Sequence, residues 1–154
     1  VAVNRGKQFE DVIKESFLKV PNVSIDRLHD QTTHWKGSKN ICDFIVYKEP
    51  YEYYIECKST HGNVFSFSKI TDNQLSGLLK KSDIKGVVAG VIIWFVDKDV
   101  TMFVPIQYIS WLMLCSYKSI RYDHVGGNIV RLCGKKKRVF FDYDMGEFFN
   151  EVRT

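Results

Sequence analysis

The chain has 154 residues, enough for one domain with its own core, and a single domain spanning 1–154 is expected. Apolar residues make up 45%, charged residues 26% and aromatics 14%, which excludes a disordered chain, while a net charge of +4 is compatible with a nucleic-acid partner without proving one. The longest apolar run, Val87 to Val96, is about half the ~20 residues that cross a bilayer; no signal-peptide pattern opens the chain and the four cysteines form no C-x-x-C pair, so a reducing, cytoplasmic setting away from membranes is expected.

From Asn4 to about Lys19, the apolar residues Phe9, Val12, Ile13, Phe17 and Val20 recur at helical spacing behind Asn4 as N-cap, predicting an amphipathic first helix. "VSIDRLH" (23–29) alternates like a half-buried strand, and "DQTTHWKGSKN" (30–40) reads as an aperiodic basic loop. "ICDFIVY" and "YEYYIECK" are β-rich runs joined around Glu49 and Pro50, a predicted antiparallel hairpin. "TDNQLSGLLKKS" opens a second helix at Thr71. "VVAGVIIWFV" is too continuously apolar for a surface strand and is placed centrally, with "VTMFVP" beside it across the "DKD" turn. "IQYISWLMLCS" predicts a short third helix, "GNIVRLCGKKKRVFFDY" a late hairpin turning at its basic cluster, and "MGEFFNEV" a last helical segment; Trp94 and Trp111 are expected in the core or an interface. The order implies an α/β fold, a central mixed β-sheet flanked by helices.

Two of these strands carry charges within apolar runs. Side chains alternate along a strand, so Asp43 shares a face with Ile41, Ile45 and Tyr47, and Glu56 and Lys58 share one with Tyr54. If Glu49 and Pro50 are the central turn residues, position 43 opposes 56; if Pro50 and Tyr51 are, it opposes 58. A slip of two residues preserves the face, so both registers gather all three side chains. Opposed Cβ atoms lie roughly 5 Å apart, and two such acids are costly together unless a cation compensates them. Mg²⁺, with Mn²⁺ as a substitute, suits paired carboxylates, and a neighbouring lysine suits hydrolysis of a phosphodiester. The competing reading is a structural ion-pair cluster, since Glu-x-Lys on a solvated strand is common.

An Asp followed across a hairpin by Glu-x-Lys, behind a helix carrying glutamate, resembles the PD-(D/E)-x-K nuclease superfamily. Within it "NRGKQFED", "CDFIVY", "YIECKST" and "FSFSKITDNQL" are similar to the RecU-type Holliday junction resolvases and their archaeal relatives, known also in phage-borne versions, over about residues 4–110. Cys42 stands where many members have proline, and the 30–40 loop is shorter than the usual stalk. The resemblance implies a restriction-endonuclease-like core acting in a bacterial, archaeal or phage-infected cell. It implies Asp43 and Glu56 as metal ligands, Lys58 as helper of the attacking water, Glu10 as the acid completing the metal site, and Gln74 as a helix residue aimed at it. Glu10 also aligns with Ile13 and Phe17 on the buried side of its helix, the alternative being a charge favouring the helix N-terminus. Gln74 fits equally a capping box with Thr71. Thr32, Thr33, His34 and Ser38 fall in the loop where such resolvases place polar residues near the scissile strand.

For DNA, Arg5, Lys7, Lys36, Lys39, Lys80, Lys81, Lys135, Lys136, Lys137 and Arg138 are the candidate phosphate contacts, and Trp35 could stack on an unpaired base. The expected function is Mg²⁺-dependent cleavage of four-way DNA junctions by paired nicks, for which a two-fold substrate calls for a homodimer. The alternatives are another endonuclease of the superfamily, of restriction or repair type, and a non-catalytic DNA-binding recombination module.

Overall fold

Capping and apolar spacing together define the first helix. In the computed structural model, which describes residues 4–29 and 39–153, the Asn4 side chain accepts a hydrogen bond from the Lys7 amide at 3.2 Å and opens α1 (Arg5–Leu18). Phe9, Ile13 and Phe17 form its buried stripe at intervals of one helical turn. The expectations for Thr32, Thr33, His34, Trp35, Lys36 and Ser38 lie outside the described residues. The chain continues through β1 (Ser24–Arg27), β2 (Phe44–Lys48), β3 (Tyr51–Thr60), β4 (Val64–Ser66), α2 (Asp72–Ser82), β5 (Val87–Phe95), β6 (Val100–Pro105) and α3 (Ile106–Leu114). It ends with β7 (Ser119–Arg121), β8 (Val130–Arg131), β9 (Gly134–Lys136), β10 (Phe141–Tyr143) and α4 (Met145–Glu151).

Six strands form one sheet in the order β1-β2-β3-β5-β6-β8, in which β3 and β5 are parallel and every other adjacent pair is antiparallel. Parallel neighbours need a crossover, and α2 lies on the one between them. β5 is buried along its full length, which its unbroken apolar run makes affordable only beneath cover on both faces. On one face, Phe9, Ile13 and Phe17 of α1 and Phe148 and Phe149 of α4 pack with Phe44, Tyr53 and Ile55 of the sheet. On the other, Leu78 of α2 and Ile106, Ile109 and Leu112 of α3 pack with Val91 and Ile93. Each such side chain contributes about 1.5–3 kcal/mol on leaving water. Among the described residues no helix is long and apolar enough to cross a membrane.

One expectation needs correction. The late hairpin does not run from Gly127 to Tyr143: Val130 and Arg131 instead pair with Phe103 and Met102 at the sheet edge, because Val130 and Leu132 bury themselves there. Within this stretch it is β9 and β10 that form the hairpin, turning through Lys137 to Phe140. β7 pairs with β4 in a small ribbon that local patterning did not announce. Of the two tryptophans expected in the core or an interface, Trp94 is in the core; Trp111 is 54% exposed on the outer side of α3, stacked on Tyr108 with ring centroids 5.7 Å apart, while Ile109 and Leu112 face the sheet.

Candidate active site

The β2–β3 hairpin closes with Lys48 opposite Tyr51, so Glu49 and Pro50 are the central turn residues and, by continuation past Phe44 opposite Ile55, Asp43 faces Glu56. Of the two registers open from the sequence, this is the one that opposes the acids. Asp43 sits one residue ahead of β2 with its backbone pinned on both sides. Its N–H donates to Ile55 O at 3.1 Å and its carbonyl accepts from Leu28 N at 2.8 Å. Its carboxylate folds onto β3, where Oδ2 accepts the Cys57 N–H at 2.8 Å.

Glu56 is the deepest charged residue of the site, 4% exposed. Its Oε1 is 2.9 Å from the Gln74 Nε2 that donates to it and 3.0 Å from the Lys58 ammonium. Gln74 performs both roles that the sequence offered as alternatives. Its Oε1 accepts from the Thr71 N–H at 3.1 Å and its own N–H donates to Thr71 Oγ1 at 3.2 Å, completing the capping box, while the amide nitrogen reaches the acid. The helix is brought in closely by Gly77: a Cβ there would lie 2.2 Å from Ile41 Cγ2. Asn73 adds a second tie, donating to Lys39 O at 2.9 Å.

Burial pushes the Glu56 carboxyl up to about 8, reinforced by the negative charge of Asp43 and opposed by Lys58. Burial also pushes Asp43 up, to about 6; the Cys57 N–H opposes this and the charge of Glu10 adds to it. Each carboxylate has one oxygen engaged by protein donors. The two carboxyl groups also hydrogen-bond to each other, and among the described residues no N–H or ammonium group donates to Asp43 Oδ1 or Glu56 Oε2, so both acids retain oxygen for a hard cation.

Glu10 stands apart from this pair. It arrives on α1, whose neighbours Phe9 and Ile13 pack on the other face with Ile55 and Cys57, and its carboxylate is held at 2.5 Å by Arg27 Nη2. Arg27 Nη1 also binds Asp11 at 2.7 Å, and its guanidinium lies 6.0 Å from the centre of the Phe44 ring. Among the described residues, no three of His, Cys, Asp and Glu gather closely enough to hold a metal ion. Glu10 therefore meets Asp43 through its charge, and its half-buried position is made tolerable by Arg27. Arg27 was absent from the sequence-derived candidates. The available signal was its place on the same side of β1 as Ile25, where an arginine needs an acidic partner.

The candidate DNA contacts are dispersed. Arg5 and Lys7 are exposed in the first turn of α1, and Lys39 is exposed beside the start of α2. Lys80 is exposed at the far end of α2, whereas Lys81 is half-buried with its ammonium 4.8 Å from the Tyr54 ring centre. Lys135, Lys136, Lys137 and Arg138 are exposed on the β9–β10 hairpin next to α1, with Lys136 paired to Asp99.

A mixed sheet between helical layers, with an acid pair and lysine on the β2–β3 hairpin, is the restriction-endonuclease-like fold. Among solved structures it is similar to Hjc, a Holliday junction resolvase from the archaeal hyperthermophile Archaeoglobus fulgidus: the TM-score is 0.50 at 17% identity, over 66% of this chain and 78% of that one. No family model and no curated protein matches the sequence.

Proposed function

We propose that this chain is a single-domain, divalent-metal-dependent endodeoxyribonuclease that resolves four-way DNA junctions, acting in the cytoplasm as a homodimer that makes paired cuts. The observation that carries the reading is the opposition of Asp43 and Glu56 on one hairpin, each with one oxygen tied down by a nitrogen donor and the other without one. Mg²⁺ fits these donors, and Mn²⁺ would substitute, because both favour oxygen ligands and relieve the repulsion that raises the two carboxyl groups. When bound, the cation supplies acidity to a water and positive charge to the phosphorane.

The remaining work belongs to side chains. Lys58 presents its ammonium beside the acid pair, where it stabilises negative charge on the phosphate oxygens and orients the attacking water. Gln74 and the Cys57 N–H hold the two carboxylates in fixed orientations, so little reorganisation remains at the moment of reaction. Glu10, clamped by Arg27, adds negative charge beside Asp43 and strengthens the local preference for a cation. Arg5, Lys7, Lys39, Lys80, Lys81 and the 135–138 cluster are proposed to bind phosphates away from the cut.

Incubation of the protein with a synthetic four-way junction and with linear duplex of the same sequence, each with Mg²⁺ or EDTA, tests the proposal. Symmetric nicks confined to the junction and to Mg²⁺ are expected. Equal rates on duplex would make it another endonuclease of the fold, and junction binding without cleavage would make it a non-catalytic module.

A further inference from the structure

One ammonium group on the strand face that carries Glu56 and Lys58 has no assigned task. Along β3 the side chains of Glu56, Lys58 and Thr60 share a face, because their partners on β5, Val91, Ile93 and Phe95, all lie in the core beneath α2 and α3. Thr60 is buried, and its Oγ1 accepts a hydrogen bond from Lys69 Nζ at 2.9 Å. Lys69 thus extends the row Glu56–Lys58–Thr60 by one more position, although it comes from a different part of the chain.

The turn that delivers Lys69 is firmly held. Ser66 caps it by accepting from the Ser68 N–H, the Phe67 N–H donates to Lys118 O at 2.9 Å, and β4 is paired with β7. The ammonium lies 5.8 Å from the centre of the Phe65 ring. Among the described residues it has no carboxylate partner, unlike Lys58, which is paired with Glu56. An anchored cation without a counter-charge, on the same strip as a hydrolytic constellation, is a site for an anion.

We propose that Lys69 grips the phosphate next to the scissile one on the cleaved strand, which rests on the nuclease reading above. Residues two apart on a strand are separated by about 7 Å, similar to the step between successive phosphates of a DNA strand. With one phosphate at Lys58, the next therefore falls beside Thr60 and Lys69. Lys69 is a substrate-binding residue here: it sets the register of the strand over Asp43 and Glu56 and takes no part in proton transfer.

Lys69→Met keeps an unbranched side chain and removes the charge, and Lys69→Arg restores it. Junction binding measured in EDTA across a salt series reads the contact independently of cleavage. The expected result for Lys69→Met is about a 3- to 10-fold loss of affinity with the salt slope reduced by about 1, and recovery in Lys69→Arg. A neutral methylphosphonate at the phosphate adjacent to the nick should weaken the wild type and leave Lys69→Met unchanged. Unaltered affinity and slope in Lys69→Met, or additive losses from the variant and the methylphosphonate at every position, would overturn the assignment. Absence of cleavage by wild-type protein that still binds the junction would instead count against the nuclease reading, leaving the binding series to judge Lys69.

Discussion

Gln74 donates to Glu56 across 2.9 Å while completing the N-terminal cap of its own helix, so the start of α2 and the orientation of the buried acid are set by one side chain. The two tasks separate by mutation. Thr71→Ala removes the cap and should lower stability by about 1 kcal/mol with little change in rate, whereas Gln74→Ala should lower both. Urea denaturation and single-turnover cleavage measure the two effects; equal rate losses in the two variants would show that Gln74 acts only through the helix.

The acid pair should make stability depend on pH. The folded protein holds protons on Glu56 and Asp43 more tightly than the unfolded chain does, since burial raises both groups, to about 8 and about 6. Their stabilising contribution is therefore complete below the ordinary carboxylate range and is lost as pH rises through 6 and on toward 8. In EDTA, the melting temperature of the wild type should fall across this interval, and that of Asp43→Asn with Glu56→Gln should be flatter. Mg²⁺ at 100 times its dissociation constant should restore about 2.7 kcal/mol to the wild type alone. Equal Mg²⁺ effects on both proteins would place cation binding elsewhere.

Gly77 determines how closely α2 approaches Ile41, two residues ahead of Asp43. Gly77→Ala puts a methyl group 2.2 Å from Ile41 Cγ2, and this overpacking should cost about 1–3 kcal/mol. Cleavage should slow as well, because Gln74 moves with the helix. Ile41→Ala in the same chain removes the nearest atom and should recover part of both losses; strictly additive effects would contradict the contact.

Arg27 binds Glu10 and Asp11 with separate nitrogens of one guanidinium group. Arg27→Ala should destabilise by about 1–3 kcal/mol, and Arg27→Lys should recover little of it, because an ammonium lacks the planar fork. Thermal unfolding of the two variants checks this, and full recovery by lysine would reduce the interaction to simple charge balance.

Elements whose cause is local were readable in the sequence. The caps at Asn4 and Thr71, the apolar stripe of α1 and the uninterrupted run of β5 each appear where the residues place them. The face shared by Asp43, Glu56 and Lys58 followed from alternation alone, although the register remained between two choices until Lys48 was found opposite Tyr51. What escaped depends on distant partners: β7 exists because β4 is beside it, β8 because β6 has an open edge, and Arg27 matters because α1 presents two acids to it. Lys69 has the same character, since only folding brings it to Thr60.

The most direct test of the central claim is single-turnover cleavage of a four-way junction by saturating Asp43→Asn in Mg²⁺. Asparagine keeps an oxygen for the Cys57 N–H and removes the charge, so the variant should fold and bind the junction. Loss of a metal ligand should remove several kcal/mol of transition-state stabilisation, a rate reduction of about 10²–10⁴. Cleavage by Asp43→Asn at the wild-type rate would contradict the assignment of the hairpin as the catalytic site.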